Sequence, residues 1–444
     1  MQTVHIGIDD TDSREGMCTT YLASHLVEKL RKSSVEFIDY PNLVRLNPNI
    51  PWKTRGNASI ALRFMTNDIK STFNICRELL HRFSEGKDGR ADPGLVALAS
   101  ENIPDEVRRI AIQALSNVVR KSDAKTIIEK HASYHYSEGS GRGLIGALSA
   151  IGNTLDKDYT YELIAYRMGD HNGIRKICNK SVFEMDMSTR PTTFNNLDRL
   201  SGRILISPHG PDPILFGIRG ENPQILLDAM KMLQVEEPMD RFMIFRSNQG
   251  TGEHLKSVLK SNSTRAYQSG HVTGRINTYP TITQGGHVFF SINDSEGIIK
   301  CAVYEPSGGL RKIALQLTIG DLVEIGGGMR RRSVKHESVL NIEYLRVIKL
   351  DKKVVLLNPL CNRCKKRMTS NGRGKGFKCT GCGERLMNVE KIIENIPRKV
   401  KRALYLPPES SQRHLAKPMQ RYGMEKRGGF VRPTGEWFQV FTER

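Results

Sequence analysis

Three carboxylates, Asp9, Asp10 and Asp12, end an apolar run in the stretch VHIGIDDTDS. Clustered carboxylates repel one another and are costly unless a cation or basic groups compensate them. Hard oxygen ligands of this kind suit magnesium with nucleotide phosphates. The plainer alternative is a turn whose Asp side chains cap backbone amides. Thr19 and Thr20 come a few residues later, after Cys18, and open a helical stretch. Either can serve as its N-cap. The same helix end attracts phosphate, and a hydroxyl beside a metal–carboxylate cluster can accept a phosphoryl group.

Other residues could complete such a site. The loop KTRGN supplies Lys53 and Arg55. Gly141, Arg142 and Gly143 follow SEGS and precede a helix, so their amides can cradle phosphate while Arg142 adds a fork of donors. Neither a P-loop nor a kinase signature is present, so a nucleotide site would be of an unusual type. A third cluster holds Glu184, Asp186, Phe194, Asp198, Asp212, Arg219 and Glu221. Acids and aromatics among glycines can hold a small cation, or can be loop caps and salt bridges. Cys361, Cys364, Cys379 and Cys382 stand as two C-x2-C pairs, the spacing of a closed, structural zinc site. The loop between the pairs presents Lys365, Lys366, Arg367, Arg373, Lys375 and Lys378. Cys18, Cys76, Cys178 and Cys301 are scattered thiols rather than a disulfide framework.

These residues need elements to position them. Val4, Ile6 and Ile8 alternate with His5 and Gly7, as in a strand that delivers the aspartates to its C-terminal end, where ligands of α/β sheets sit. Helices are expected over Thr19–Lys32, over PDEVRRIAIQALSNVVR with Val107, Ile110, Ala111, Leu115 and Val118 on one face, and over PQILLDAMKMLQ. Strands are expected at ASIALRFM, YELIAYRM, GRILISP, PILFGIRG and RFMIF. Interleaved strands and helices make residues 1–260 an α/β or α+β body. From Tyr267 to Leu350 five short β runs, with one short helix near Leu310–Leu317, fit an OB-fold. Such folds bind single-stranded nucleic acid, with Tyr279, Phe289, Phe290 and Tyr304 as stacking or core aromatics.

The chain has 444 residues and a net charge of +20. From Asp351 onward 22 Lys and Arg stand against 8 Asp and Glu; before it the numbers are 45 and 39. A nearly balanced front and a strongly basic back point to a polyanion held by the C-terminal part. No apolar run approaches the ~20 residues that span a bilayer, and no secretory signal opens the chain, so a cytoplasmic protein is expected.

The strings GIDDTDS, GMCTTYL, RLNPNIPWKTRGN, GRGLIGAL, LIAYR, GIRGE and GGHVFF, followed by the paired cysteines and RHLAKP, resemble the archaeal isoleucine-tRNA 2-agmatinylcytidine synthetases (agmatidine synthetases) almost end to end. The SEGS loop carries fewer cations than that family pattern leads one to expect. The resemblance implies a multidomain α+β chain. Residues 1–130 would form a kinase-like ATP-binding domain and 131–262 a ferredoxin-like domain. An OB-fold over 267–350, a zinc ribbon over 356–390 and a basic extension over 391–444 would follow. It implies a ligase that uses ATP and magnesium to attach agmatine to the wobble cytidine of an isoleucine tRNA with a CAU anticodon, so that the tRNA reads AUA. Asp9, Asp10 and Asp12 would manage magnesium and ATP phosphates, with Lys53, Arg55, Gly141, Arg142 and Gly143 also on phosphate. Thr19 would be the phosphorylated threonine. Glu184, Asp186, Phe194, Asp198, Arg219 and Glu221 are the agmatine candidates. Tyr279, Phe289, Lys365, Lys366, Arg367, Arg373, Lys375, Arg413, His414 and Lys417 are the tRNA candidates. Two rivals from other classes are a non-catalytic RNA-binding factor, which leaves the aspartates without a task, and a metal-dependent nuclease, which needs no agmatine.

Overall fold

A computed structural model describes residues 1–33, 35–84, 91–169, 173–334 and 337–441. The first part of the chain interleaves strands and helices: β1 (Gln2–Asp9), α1 (Thr19–Arg31), β2 (Glu36–Phe37), β3 (Asn42–Arg45), β4 (Ala58–Thr66), α2 (Ile69–Phe83), β5 (Gly94–Ala99), α3 (Asp105–Ser116), α4 (Lys121–His131), β6 (Tyr134–Ser137), α5 (Gly143–Gly152), β7 (Thr160–Arg167), α6 (Asn179–Thr189), β8 (Thr193–Phe194), β9 (Ile214–Gly220), α7 (Pro223–Met232) and β10 (Met239–Ser247). Their strands join in one sheet, ordered β6-β5-β1-β4-β3-β10-β7-β9-β8. The two halves meet where β3 runs parallel to β10, Asn42 opposite Arg246 and Leu43 opposite Ser247.

The period of two in β1 decides what faces what. Val4, Ile6 and Ile8 are fully buried with Leu22, Leu26 and Leu30 of α1. The intervening residues face α5. A side chain on Gly7 would strike the Ala147 carbonyl, so this glycine is what lets α5 lie directly on β1. Beyond α5, the buried apolar stripes of α3 and α4 close the layer around Val96, Leu98, Val107, Ile110 and Ile128.

Some expectations need correction. The N-cap of α1 is Cys18, with extended backbone and no side-chain capping bond, so neither threonine caps the helix. Helix α3 stops at Ser116, where Asn117 turns extended; Val118 lies outside it. GRILISP forms no strand: Ile204 makes a single bridge to Leu197, and the segment otherwise follows turns.

The OB-fold follows. Strands β11 (Ser269–Ile276), β12 (Thr281–Ile282), β13 (Val288–Asn293), β14 (Ile298–Val303), β15 (Leu322–Met329) and β16 (Leu340–Lys349), with α8 (Gly309–Ala314) between β14 and β15, enclose a core of their own. β11 closes on both β13 and β15. Phe290 is core; Tyr279 is exposed and Phe289 half-buried. Next, β17 (Val354–Leu357) leads to three short strands, β18 (Thr369–Ser370), β19 (Phe377–Lys378) and β20 (Arg385–Leu386), and β21 (Ile392–Asn395) returns to pair with β17.

The C-terminal segment is not a solvated tail. Strand β22 (Leu404–Tyr405) joins β16, and β23 (Phe438–Val440) adds antiparallel to β10 at Arg241–Met243. Trp437 is buried with Phe37 and Tyr40 of the first body.

Candidate active site

The aspartates reach a cleft of about 600 Å³ between the two halves of the large sheet. Asp9 ends β1 on the α5 face. Helix α5 comes so close there that a methyl on Gly146 would overlap the Asp9 carboxylate. Asp10 meets Arg142 at 3.3 Å, and the same guanidinium holds Asp92 at 2.9 Å. Asp12 lies 3.9 Å from Arg55, which also reaches Asp212 at 3.4 Å and donates to the carbonyls of Met17 and Ser13, both at 3.0 Å. Thr19 is buried, and its hydroxyl accepts from Thr11 at 3.1 Å. No side chain of Cys18 caps the first turn of α1, whose Tyr21 and Leu22 amides bond the Cys18 carbonyl, which leaves the Thr19 amide at the helix start for a ligand. The first turn of α5 lies beside Asp9, but its Gly143, Leu144 and Ile145 amides already bond the Asp92, Gly141 and Arg142 carbonyls. Two helix N-termini therefore meet three carboxylates, an arrangement suited to an anion and a cation together.

Burial pushes the Asp9 carboxyl well above the usual carboxylate range, with Asp10 adding to it. Asp10 is raised by burial against the pull of Arg142. Asp12 is raised by burial to about 6, with Arg55 opposing. Three carboxylates held this reluctantly ionised favour the arrival of a cation. They do not converge as a ready cage, however. Among the described residues, the group of three or more potential ligands with donor atoms within 4.8 Å of one another is Cys361, Cys364, Cys379 and Cys382. The aspartates fit magnesium held by one or two carboxylates with phosphate oxygens supplying the rest. The sulfur pairs Cys361–Cys382 and Cys364–Cys379 stand 3.4 and 3.3 Å apart, a fit to tetrahedral zinc.

Of the other phosphate candidates, Lys53, Arg55 and Arg142 line the cleft, while Gly141 and Gly143 shape the turn that starts α5. The acid cluster is dispersed. Only Arg219 and Asp212 of it line the cleft. Glu184 is exposed on α6 beside Lys180. Asp186 is buried on Asn196 and Arg199. Asp198 caps its own turn and accepts from Ser410. Phe194 and Glu221 hold Arg421 of the C-terminal segment. Lys365, Lys366, Arg367, Arg373 and Lys375 are exposed on the ribbon. Arg413 pairs with Glu343 and Lys417 with Asp158, and His414 enters the cleft. Sequence reasoning missed Glu162, buried on β7, which accepts from Arg219 at 3.1 Å and from Gln249. Its one signal is a carboxylate inside the apolar strand YELIAYR.

Four family models cover these regions: TiaS TCKD domain over residues 5–68, TiaS FLD domain over 141–254, an OB-fold nucleic acid binding domain over 271–348 and the TiaS C-terminal zinc ribbon domain over 358–400. A relative from Cenarchaeum symbiosum, named as the isoleucine-tRNA 2-agmatinylcytidine synthetase TiaS, is 43% identical over 439 residues, 99% of this chain and 97% of its own. The chain belongs to the TiaS family. The TiaS of Archaeoglobus fulgidus is 37% identical over 96% of this chain and 99% of its own. A solved complex of TiaS with its isoleucine tRNA and ATP superposes with a TM-score of 0.85 at 35% identity, covering 97% of this chain and 100% of that one. A complex of TiaS with the same tRNA, AMPCPP and agmatine gives 0.83 at 34% identity with the same coverage. The family resemblance and the fold class read from the sequence are borne out.

Proposed function

We propose that this TiaS family member is an ATP-dependent carbon–nitrogen ligase that joins agmatine to C2 of the wobble cytidine in the CAU anticodon of an isoleucine tRNA. The observation that carries this is the match over nearly the whole chain to proteins of that name, including one solved with its isoleucine tRNA, an ATP analogue and agmatine. The reaction runs in the cytoplasm. The body is two halves of one sheet with the cleft between them; β6 and α5, although beyond residue 130, pack with the first half, so the division falls after α5 rather than between 130 and 131, and the OB-fold, ribbon and extension follow.

The C2 oxygen of cytosine is a poor leaving group. Phosphorylation of that oxygen by the γ-phosphoryl of ATP makes it part of a good one. The primary amine of agmatine then attacks C2, the C2–O bond breaks, phosphate departs with the former carbonyl oxygen, and the amine loses a proton. Magnesium, held by Asp10 or Asp12 with phosphate oxygens, would neutralise charge on the transferring group. Arg55 and Arg142 hold these carboxylates in place and lie within the cleft to meet phosphate. Thr19, at the first position of α1 and lining the cleft, is the hydroxyl we assign to accept a phosphoryl group from ATP, with ADP leaving, in a transfer separate from that to the C2 oxygen. Taking the target base out of its loop costs a few kcal/mol, less than from a duplex. For the guanidinium of agmatine the sequence candidates are redrawn: Glu162 and Asp212, the carboxylates on the second half of the sheet that line the cleft, take the place of Glu184, Asp186, Asp198 and Glu221.

The test is digestion to nucleosides after incubation with ATP, magnesium and agmatine. Isoleucine tRNA with a CAU anticodon should yield a cytidine heavier by agmatine less water, and methionine tRNA should yield none. Bound but unaltered tRNA would return the binding-factor reading, and shortened tRNA the nuclease.

A further inference from the structure

Arg45 ends β3 in the wall of the cleft that the three aspartates also line. Among the described residues its guanidinium makes no hydrogen bond and no ion pair, and its Nε is buried without a partner. Glu162 acts on it only at longer range. A half-buried guanidinium left unpaired costs free energy that an incoming anion would recover. Beside it stands His414, brought in by the C-terminal segment. Both rest over Gly56: a side chain there would run into the Arg45 Nη1 and would meet the His414 ring at 3.2 and 3.3 Å. The glycine thus leaves open the space in which the two side chains come together.

The protons on His414 follow from its neighbour. Arg219 Nη2 lies 2.8 Å from His414 Nδ1, and a guanidinium can only donate, so Nδ1 accepts and the ring hydrogen sits on Nε2. The Arg45 charge first, then desolvation and the charges of Arg219 and Lys53, hold this histidine well below its usual range, which favours the neutral ring. The surroundings combine two guanidinium groups and one ring N–H, with the Glu162 carboxylate bonded to Arg219.

We propose that Arg45, Arg219 and His414 form an anion subsite in the cleft for a single phosphate group, and that the C-terminal segment completes it by delivering His414. The chemistry fits a phosphodiester of the RNA next to the target nucleotide or a phosphate of the nucleotide. The proposal rests on the cleft being the ligase site, yet its test reads binding without turnover, so either can fail alone.

The experiment compares the full-length protein with Arg45→Gln. Affinity is measured for ATP alone and for unmodified isoleucine tRNA alone, over a salt series, with Tm as the folding control. A tenfold or greater loss confined to tRNA, with a salt dependence shallower by about one phosphate contact, assigns the subsite to the RNA backbone. A like loss confined to ATP assigns it to the nucleotide. Arg45→Lys, which keeps charge without the fork, should restore part of either. Unchanged affinity for both in a folded Arg45→Gln overturns the proposal. If Arg45→Gln does not fold, His414→Ala decides by the same readouts. A three- to tenfold loss for one ligand supports the subsite, and none overturns it.

Discussion

Asp12→Asn should lower turnover of agmatine into tRNA by at least about a thousandfold while leaving tRNA affinity within a fewfold, and it should not destabilise the protein. The catalytic loss follows from removing a charged ligand where charge develops during phosphoryl transfer, an effect of ~3–4 kcal/mol or more. tRNA affinity should persist because the exposed cations of the ribbon are untouched. The stability part has a definite sign. The folded carboxyl titrates at about 6 against an ordinary value of 3.8, so the folded state resists its ionisation. Stability is highest below the unfolded value and is lost as pH rises through about 6, by up to ~3 kcal/mol. At pH 7 the wild-type protein carries that cost and the neutral amide does not. Tm should therefore stay level or rise at pH 7, and the gap should close towards pH 4. Gly146→Ala supplies an independent check, since its methyl would displace Asp9 without altering any charge. Turnover within a fewfold of wild type in Asp12→Asn would remove this carboxylate from the mechanism.

Arg421→Ala should cost about 3–5 kcal/mol and free the C-terminal segment. Arg421 is fully buried, and its fork meets Asp158 at 3.0 Å, Glu221 at 2.6 Å and the Gly250 carbonyl at 2.8 Å, with Phe194 beside it. Truncation leaves two buried carboxylates whose remaining partners are Lys417 and Lys426. Tm should fall by several degrees, the chain should become cleavable by protease between about 406 and 430, and activity should drop as His414 leaves the cleft. Arg421→Lys, a point charge without the fork, should lie between. An unchanged Tm with a resistant segment would show that the anchor is elsewhere, for example at Trp437 and β23.

What could be read from the sequence was what rests on local pattern. The alternation in VHIGID both names a strand and puts Asp9 on the face opposite Val4, Ile6 and Ile8. The cysteine pairs carry their geometry in their spacing. Five of the six OB-fold strands, all but the two-residue β12, are each bounded by turn residues. What could not be read depends on partners far apart in the chain. Glu221 and Phe194 read as a cation site, and a cation does sit there, but it is Arg421, two hundred residues on. The basic extension reads as charge for a polyanion because its compensating acids, Asp158, Glu221 and Glu343, lie in other elements. Helix α2 is legible yet is missing from the expected helices: Asp68 caps it on the Ser71 amide, and Ile69, Phe73, Cys76 and Leu80 recur at helical spacing. Glu162 shows only as a charge in a strand, and its place in the cleft depends on how the two halves of the sheet join.

The most direct measurement follows one oxygen atom. Isoleucine tRNA carrying 18O at C2 of the wobble cytidine is incubated with the protein, ATP, magnesium and agmatine. Phosphoryl activation should place the label in inorganic phosphate, one atom for each agmatine joined. Label found in water or in AMP, while agmatine is joined, would contradict activation of that oxygen by the γ-phosphoryl group in this cleft.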